Sequence, residues 1–120
     1  MADKFNAIVI DQDGENFKRE IKSLDLDFLD QGEVLVKIDF SDLNYKDALI
    51  LHNGGKLVKD FPRIPGIDLS GKVLESSVEE FKKDDEIIVT GSRVGEIFHG
   101  GFSQMAKIKK ELLIKKPNNL

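Results

Sequence analysis

The sequence contains no cysteine. That single absence excludes disulfides, thiolate nucleophiles and any zinc site built on thiolates, and it fits a reducing cytosol. Its two histidines, His52 and His99, stand far apart, so a metal site would have to recruit carboxylates. Each of them reads first as a turn or surface residue. No apolar run approaches the ~20 residues of a membrane helix, and the opening Met1-Ala2-Asp3-Lys4-Phe5 has no signal core; a soluble, cytoplasmic protein is expected. A concentrated basic face is missing too. The formal charge of −4 is spread over interleaved lysines and acids, which argues against nucleic acid as a partner. No Gly-x-Gly-x-x-Gly follows a strand, so the chain carries no dinucleotide phosphate cradle of its own. No serine sits in a strained elbow motif, and no internal repeat is visible.

What is present is enough for one domain. A chain of 120 residues, 40% hydrophobic, buries roughly two thirds of the surface its unfolded form exposes. Ala7, Ile8, Val9 and Ile10 mark a strand over 5–11, Gly14 a hairpin turn, and 17–24 its partner strand. Gln31-Gly32 marks a turn before 33–40, where Val34, Val36 and Ile38 alternate with Leu35, Lys37 and Asp39. Residues 45–52 suit a short helix, with Asn44 or Asp42 to cap its start and Asn53-Gly54-Gly55 to stop it. Strand character resumes at 71–74, 86–90, 102–107 and near 112–115, with turns at Lys83-Asp84-Asp85, Gly91, Gly95 and His99-Gly100-Gly101. The lysine-rich segment 107–116 reads as a strand or short helix with a solvated face. Short strands with frequent turns predict a small antiparallel barrel.

Two segments concentrate the polar chemistry. The first is Asn44-Tyr45-Lys46-Asp47. In its bland reading Asn44 caps a helix, Asp47 is a first-turn acid favoured by the helix dipole, and Lys46 is solvated. In its functional reading Tyr45, the only tyrosine, is a donor and flat surface in a cleft, with Asn44 and Asp47 fixing a ligand. The second is Pro65-Gly66-Ile67-Asp68. Pro-Gly suits a type II turn, and Asp68 then bonds a turn or faces the same cleft. His99-Gly100-Gly101 reads as a turn whose glycines allow close approach to a ligand. Arg63 and Arg93 are candidates for attracting phosphates, with surface solvation as the plainer role of each.

In order along the chain, Leu43-Asn44-Tyr45-Lys46-Asp47, then Phe61-Pro62-Arg63-Ile64-Pro65-Gly66-Ile67-Asp68 with Gly71, then Val89-Thr90-Gly91 with Val94-Gly95-Glu96, and His99-Gly100-Gly101-Phe102-Ser103, resemble the N-terminal domain of medium-chain dehydrogenases/reductases. The similarity is to the zinc-independent acrylyl-CoA reductase and quinone oxidoreductase type, and it is collinear over essentially the whole chain. It implies a mainly β fold, a GroES-like, partly open β-barrel with one or two short helices, forming a catalytic domain over residues 1–120. A Rossmann domain that binds NADPH is the partner it implies, absent from this chain, whose last residues, Lys116-Pro117-Asn118-Asn119-Leu120, stand where the family crosses into it. The implied activity is NADPH-dependent reduction of a conjugated C=C bond, acryloyl-CoA first, with quinones or general enones as the alternative acceptors. Tyr45 is the implied contact to the nicotinamide region of NADPH, and Asn44 and Asp47 are the implied positioning groups. Zinc-dependent relatives carry Cys where Asn44 stands and His where Ile67 stands; no metal role carries over. A binding module without turnover is the rival from outside enzymes.

Overall fold

The structure is a computed structural model that describes residues 4–30, 32–53, 57–91 and 93–117. The expected turn residue Gln31 and the expected helix stop at Gly54-Gly55 lie outside them, as do residues 118–120. Strand β1 (Lys4–Asp13) turns at Gly14, φ +62°, into β2 (Asn16–Asp25), and the two pair from Lys4↔Asp25 to Asp13↔Asn16. Next come β3 (Val34–Ser41), helix α1 (Tyr45–Asn53), β4 (Asp68–Ser76), β5 (Glu86–Thr90), β6 (Met105–Ile108) and β7 (Ile114–Lys115). These five strands form one antiparallel sheet in the order β6-β3-β4-β5-β7. Short 3-10 turns at Leu26–Phe28 and Lys110–Leu112 complete the elements.

The alternation in β3 works as its sequence predicts. Val34 and Val36 are buried with Leu69, Val73, Ile87, Val89, Ala106 and Ile108 in one core cluster of the sheet. The same period of two puts Phe5, Ala7 and Val9 of β1 against Leu29 and Ile64. Burial of this apolar area is the main force holding the domain together. The hairpin joins the five-stranded sheet through bridges Ala7↔Ser103 and Ile10↔Arg63, so the molecule curls on itself without closing a continuous ladder. It is a partly open arrangement of two sheets and not a closed barrel. Among the described residues no helix is long and apolar enough to cross a membrane.

Two expectations need correction. The strand expected over 102–107 is shorter, because the backbone N–H groups of Gly101 and Phe102 bond to Gly66 and Pro65 instead of joining the sheet. The lysine-rich 107–116 is neither one strand nor one helix: it is the end of β6, a 3-10 turn and β7.

Candidate active site

Helix α1 begins where β3 ends, and its start is organised by its own carboxylate rather than by a capping side chain. The Ala48 N–H bonds the Asn44 carbonyl at 3.1 Å, which makes Asn44 the N-cap residue. Its side chain does not serve the helix, however. Asp47 reaches back and accepts the Asn44 backbone N–H at 3.0 Å, one half of a capping box. Among the described residues Asp42 accepts only the N–H of its neighbour Leu43. Asn44 thus holds the expected N-cap position, but the capping side chain is that of Asp47 and not its own or that of Asp42. At the far end Arg19 of β2 donates to the carbonyls of Leu51 and His52, a cation where the helix dipole favours one.

Asp47 is 0% exposed. Its second oxygen accepts the Ile67 N–H at 3.0 Å, which ties the helix start to the Pro65-Gly66 turn. Asn44 extends the link: its amide Nδ2 donates to Asp68 at 2.8 Å, and stands 3.5 Å from Asp47. Facing two carboxylates, that end of the amide is necessarily the NH2. Asp68 accepts the Gly91 N–H with its other oxygen at 3.3 Å. Three acidic or amide side chains thus join β4, the turn after β5 and the start of α1. Tyr45 stands on this platform with 80% of its surface exposed, and Leu43 and Phe40 near it in sequence are exposed as well. A groove of about 240 Å³ opens beside the start of α1, walled by Ser41, Asp42 and Asp68 among others; Tyr45 is outside its walls.

Lys46 is not simply solvated. Its Nζ lies 3.0 Å from Glu96, a carboxylate that also faces Arg93 at 3.7 Å. Glu96 sits in the matched segment with Val94 and Gly95 but carried no expectation of its own; what singles it out is burial beside two cations, visible only in three dimensions.

Below the Pro-Gly turn the glycines fit together. A Cβ on Gly100 would fall 2.1 Å from the Gly66 carbonyl oxygen, and one on Gly95 2.8 Å from the Gly66 backbone. Gly66 itself holds φ +107°, which β-carbon-bearing residues rarely adopt. Gly100 N–H bonds Ile64 at 2.8 Å and Gly101 N–H bonds Gly66 at 2.9 Å. The close approach expected of His99-Gly100-Gly101 is therefore to the protein's own turn.

Arg63 and His99 are buried, contrary to the surface roles expected of them. Their partners come from distant segments. The His99 ring stacks on Phe28 with centroids 4.7 Å apart, and its Nδ1 accepts the Ile64 N–H at 3.1 Å. Asp30 accepts the His99 N–H at 2.6 Å and lies 3.8 Å from Arg63. Burial, helped by the Arg63 guanidinium, holds the His99 imidazole down at about 4, against a slight upward pull from its bond to the Phe28 backbone. Burial also raises the Asp30 carboxyl, opposed by the His99 N–H and by Arg63. Among the described residues no group of three or more His, Cys, Asp or Glu side chains is placed to hold a metal ion.

Comparison with known proteins identifies the family and the fold. The family model of the alcohol dehydrogenase GroES-like domain matches residues 30–118. An acrylyl-CoA reductase, AcuI, of Ruegeria pomeroyi is 44% identical over 97% of the chain. Among solved structures, YhdH of Escherichia coli with bound NADPH superposes with a TM-score of 0.90 at 37% identity over 95% of the chain. YhfP of Bacillus subtilis with bound NAD superposes at 0.93, with 32% identity over 98% of the chain. The chain spans about a third of each of them: 36%, 35% and 36%.

Proposed function

Because this chain belongs to the alcohol dehydrogenase GroES-like domain family of the medium-chain dehydrogenases/reductases, we propose that it is the catalytic domain of an NADPH-dependent reductase of conjugated C=C bonds, acting on acryloyl-CoA. The observation that carries this reading is an exposed Tyr45 mounted on a helix start that Asp47 and Asn44 lock to Asp68 and the Pro-Gly turn. The relatives' names supply the substrate: AcuI is called an acrylyl-CoA reductase, and YhdH was solved with NADPH.

In this reading NADPH meets the chain at Tyr45. The open face of Tyr45 offers a flat aromatic surface for the nicotinamide region, and the rest of the cofactor is left to a Rossmann domain, since no phosphate cradle occurs in this sequence. When bound, NADPH supplies a hydride. In the overall balance acryloyl-CoA, NADPH and one proton give propionyl-CoA and NADP⁺: the β-carbon takes the hydride, the α-carbon the proton, and the C=C π bond is lost. Negative charge develops on the thioester oxygen in the transition state, where fixed donors are most effective. The Asn44 NH2 is already engaged by Asp68 and Asp47 and cannot serve there. Tyr45 retains its O–H for that task. Asp47, with no exposed surface, positions the helix and not the ligand. We read the site as metal-free, since Asn44 bonds Asp68 directly and Ile67 has no ligand atom.

A quinone acceptor is the second reading, supported by the name of a further relative, the putative quinone oxidoreductase YhfP of Bacillus subtilis. The test is a kinetic comparison of acryloyl-CoA with small quinones, using the protein that joins this domain to its nucleotide-binding domain. A kcat/KM at least tenfold higher for acryloyl-CoA supports the thioester reading; the reverse order transfers the function to quinones.

A further inference from the structure

Glu96 has no part in the reaction as described so far, yet its side chain is only 4% exposed. A buried carboxylate is costly unless charge partners compensate it. Here the two oxygens are divided between two cations, Lys46 at 3.0 Å and Arg93 at 3.7 Å, whose side chains remain 46% and 57% exposed. The carboxylate is therefore the fixed member of the trio.

The base from which it projects is rigid. The N–H groups of Glu96, Ile97 and Phe98 all converge on the Arg93 carbonyl, at 3.1, 3.1 and 3.3 Å, and the Gly95 N–H bonds Phe98 at 2.7 Å. Gly95 is packed directly on Gly66. On the other side of the ion pair, Lys46 stands between Tyr45 and Asp47 in the first turn of α1. Asp47 already fixes that turn to Ile67. Tyr45 has no hydrogen-bond partner for its hydroxyl among the described residues, so the position of its ring is set from the backbone at 44–47 and not by a bond at the ring's far end.

We propose that Glu96 is a positioning residue: through Lys46, and braced by Arg93, it sets the first turn of α1 against the turn at 93–98 and thereby aims the Tyr45 ring. The kinetic part of this inference rests on the reductase reading above; the geometric part does not. A misplacement near 1 Å at a reacting group can cost on the order of 100-fold in rate, so a tie of this kind acts on turnover more than on binding.

One tyrosine in the chain makes a direct test available. Tyrosine labelled with ¹³C at Cζ alone gives a single signal from the 120-residue chain, that of Tyr45. Glu96→Gln is expected to move it, Lys46→Arg to leave it near the wild-type position, and Glu96→Gln added to Lys46→Met to move it no further than Lys46→Met alone. In the two-domain protein, Glu96→Gln and Lys46→Met are each expected to lower kcat about tenfold with the KM for NADPH changed less than about twofold, and Lys46→Arg to restore kcat to within about threefold. A Tyr45 signal unmoved by Glu96→Gln, or additive effects of the two substitutions, overturns the proposal. Should Glu96→Gln fail to fold, Lys46→Met, on the exposed side of the pair, decides the matter: an unmoved signal is fatal. A moved signal in a protein whose wild type reduces no conjugated acceptor would sink the reductase reading and leave the positioning role standing.

Discussion

Tyr45 and Asp47 stand two positions apart in one helical turn and meet opposite environments, the first exposed and the second sealed. That difference decides what substitution does to each. Tyr45→Phe removes one hydroxyl from an exposed ring, so stability should change by less than about 0.5 kcal/mol. If that hydroxyl stabilises charge in the transition state, kcat/KM of the two-domain protein should fall about tenfold or more. Paired urea melts and steady-state rates check both halves, and an unchanged kcat/KM removes Tyr45 from the mechanism. Legibility at this scale was uneven for a physical reason. A lone phenol after a strand and a first-turn acid in α1 are local features that sequence carries, whereas the 80% exposure of the one and the burial of the other are not. That Asp47 turns inward to the Ile67 N–H, that Lys46 meets Glu96, and that Arg63 and His99 are buried all depend on partners 20 to 69 residues away. No local pattern around those residues announces such a partner.

At the scale of elements, strands with a clear period of two were readable: β5 matches its predicted span 86–90, and β3 agrees within one residue at each end. The glycines were readable as turns but not as a packed unit. Gly14 and Gly100 make the difference measurable. Gly14 has φ +62°, and a Cβ added there would meet nothing within 4 Å, so Gly14→Ala should cost about 1 kcal/mol of backbone strain. Gly100→Ala must push its Cβ against the Gly66 carbonyl and should cost about 3 kcal/mol or more. Denaturant midpoints compare the two, and equal costs would refute the packed glycine unit. The segment carrying this unit also responds to pH through His99. Its folded value of about 4 lies below the ordinary 6.5, so the unfolded chain takes up a proton first as pH falls. The stabilisation from neutral His99 is complete above 6.5 and is lost between 6.5 and 4, the loss amounting to about 2 kcal/mol by about pH 5. Asp30, raised by burial, works in the opposite sense at the acid end. Unfolding free energies at about pH 7 and about pH 5 test this, with His99→Gln expected to flatten the slope and a persistent slope in that variant excluding His99 as its source.

On the scale of the whole molecule, most of the exposed large hydrophobics of the described residues belong to neighbouring stretches of the proposed site, Ile21 and Ile114 being the others. Phe40, Leu43, Tyr45, Leu49 and Ile97 are exposed large hydrophobics contributed by the end of β3, the connection to α1, α1 itself and the turn at 93–98. Single exposed apolar residues are ordinary on a protein surface; their concentration around the helix start is what the proposed cleft against a nucleotide-binding domain requires. The antiparallel β character was legible from short strands with frequent turns and the partly open form only from the family resemblance, whereas the way the hairpin closes on the sheet through Ala7↔Ser103 and Ile10↔Arg63 was not legible, since those pairings span long stretches of chain. Under the proposed function this domain holds half of a reducing pocket, and the cofactor's main hold lies elsewhere. The most direct test is NADPH oxidation with acryloyl-CoA, measured for the 120-residue chain alone and for the protein that includes its nucleotide-binding domain. Turnover is expected only from the two-domain protein, at least about 1,000-fold above the chain alone, the scale on which lost cofactor positioning acts. Comparable turnover by the isolated chain would contradict the proposed division of labour.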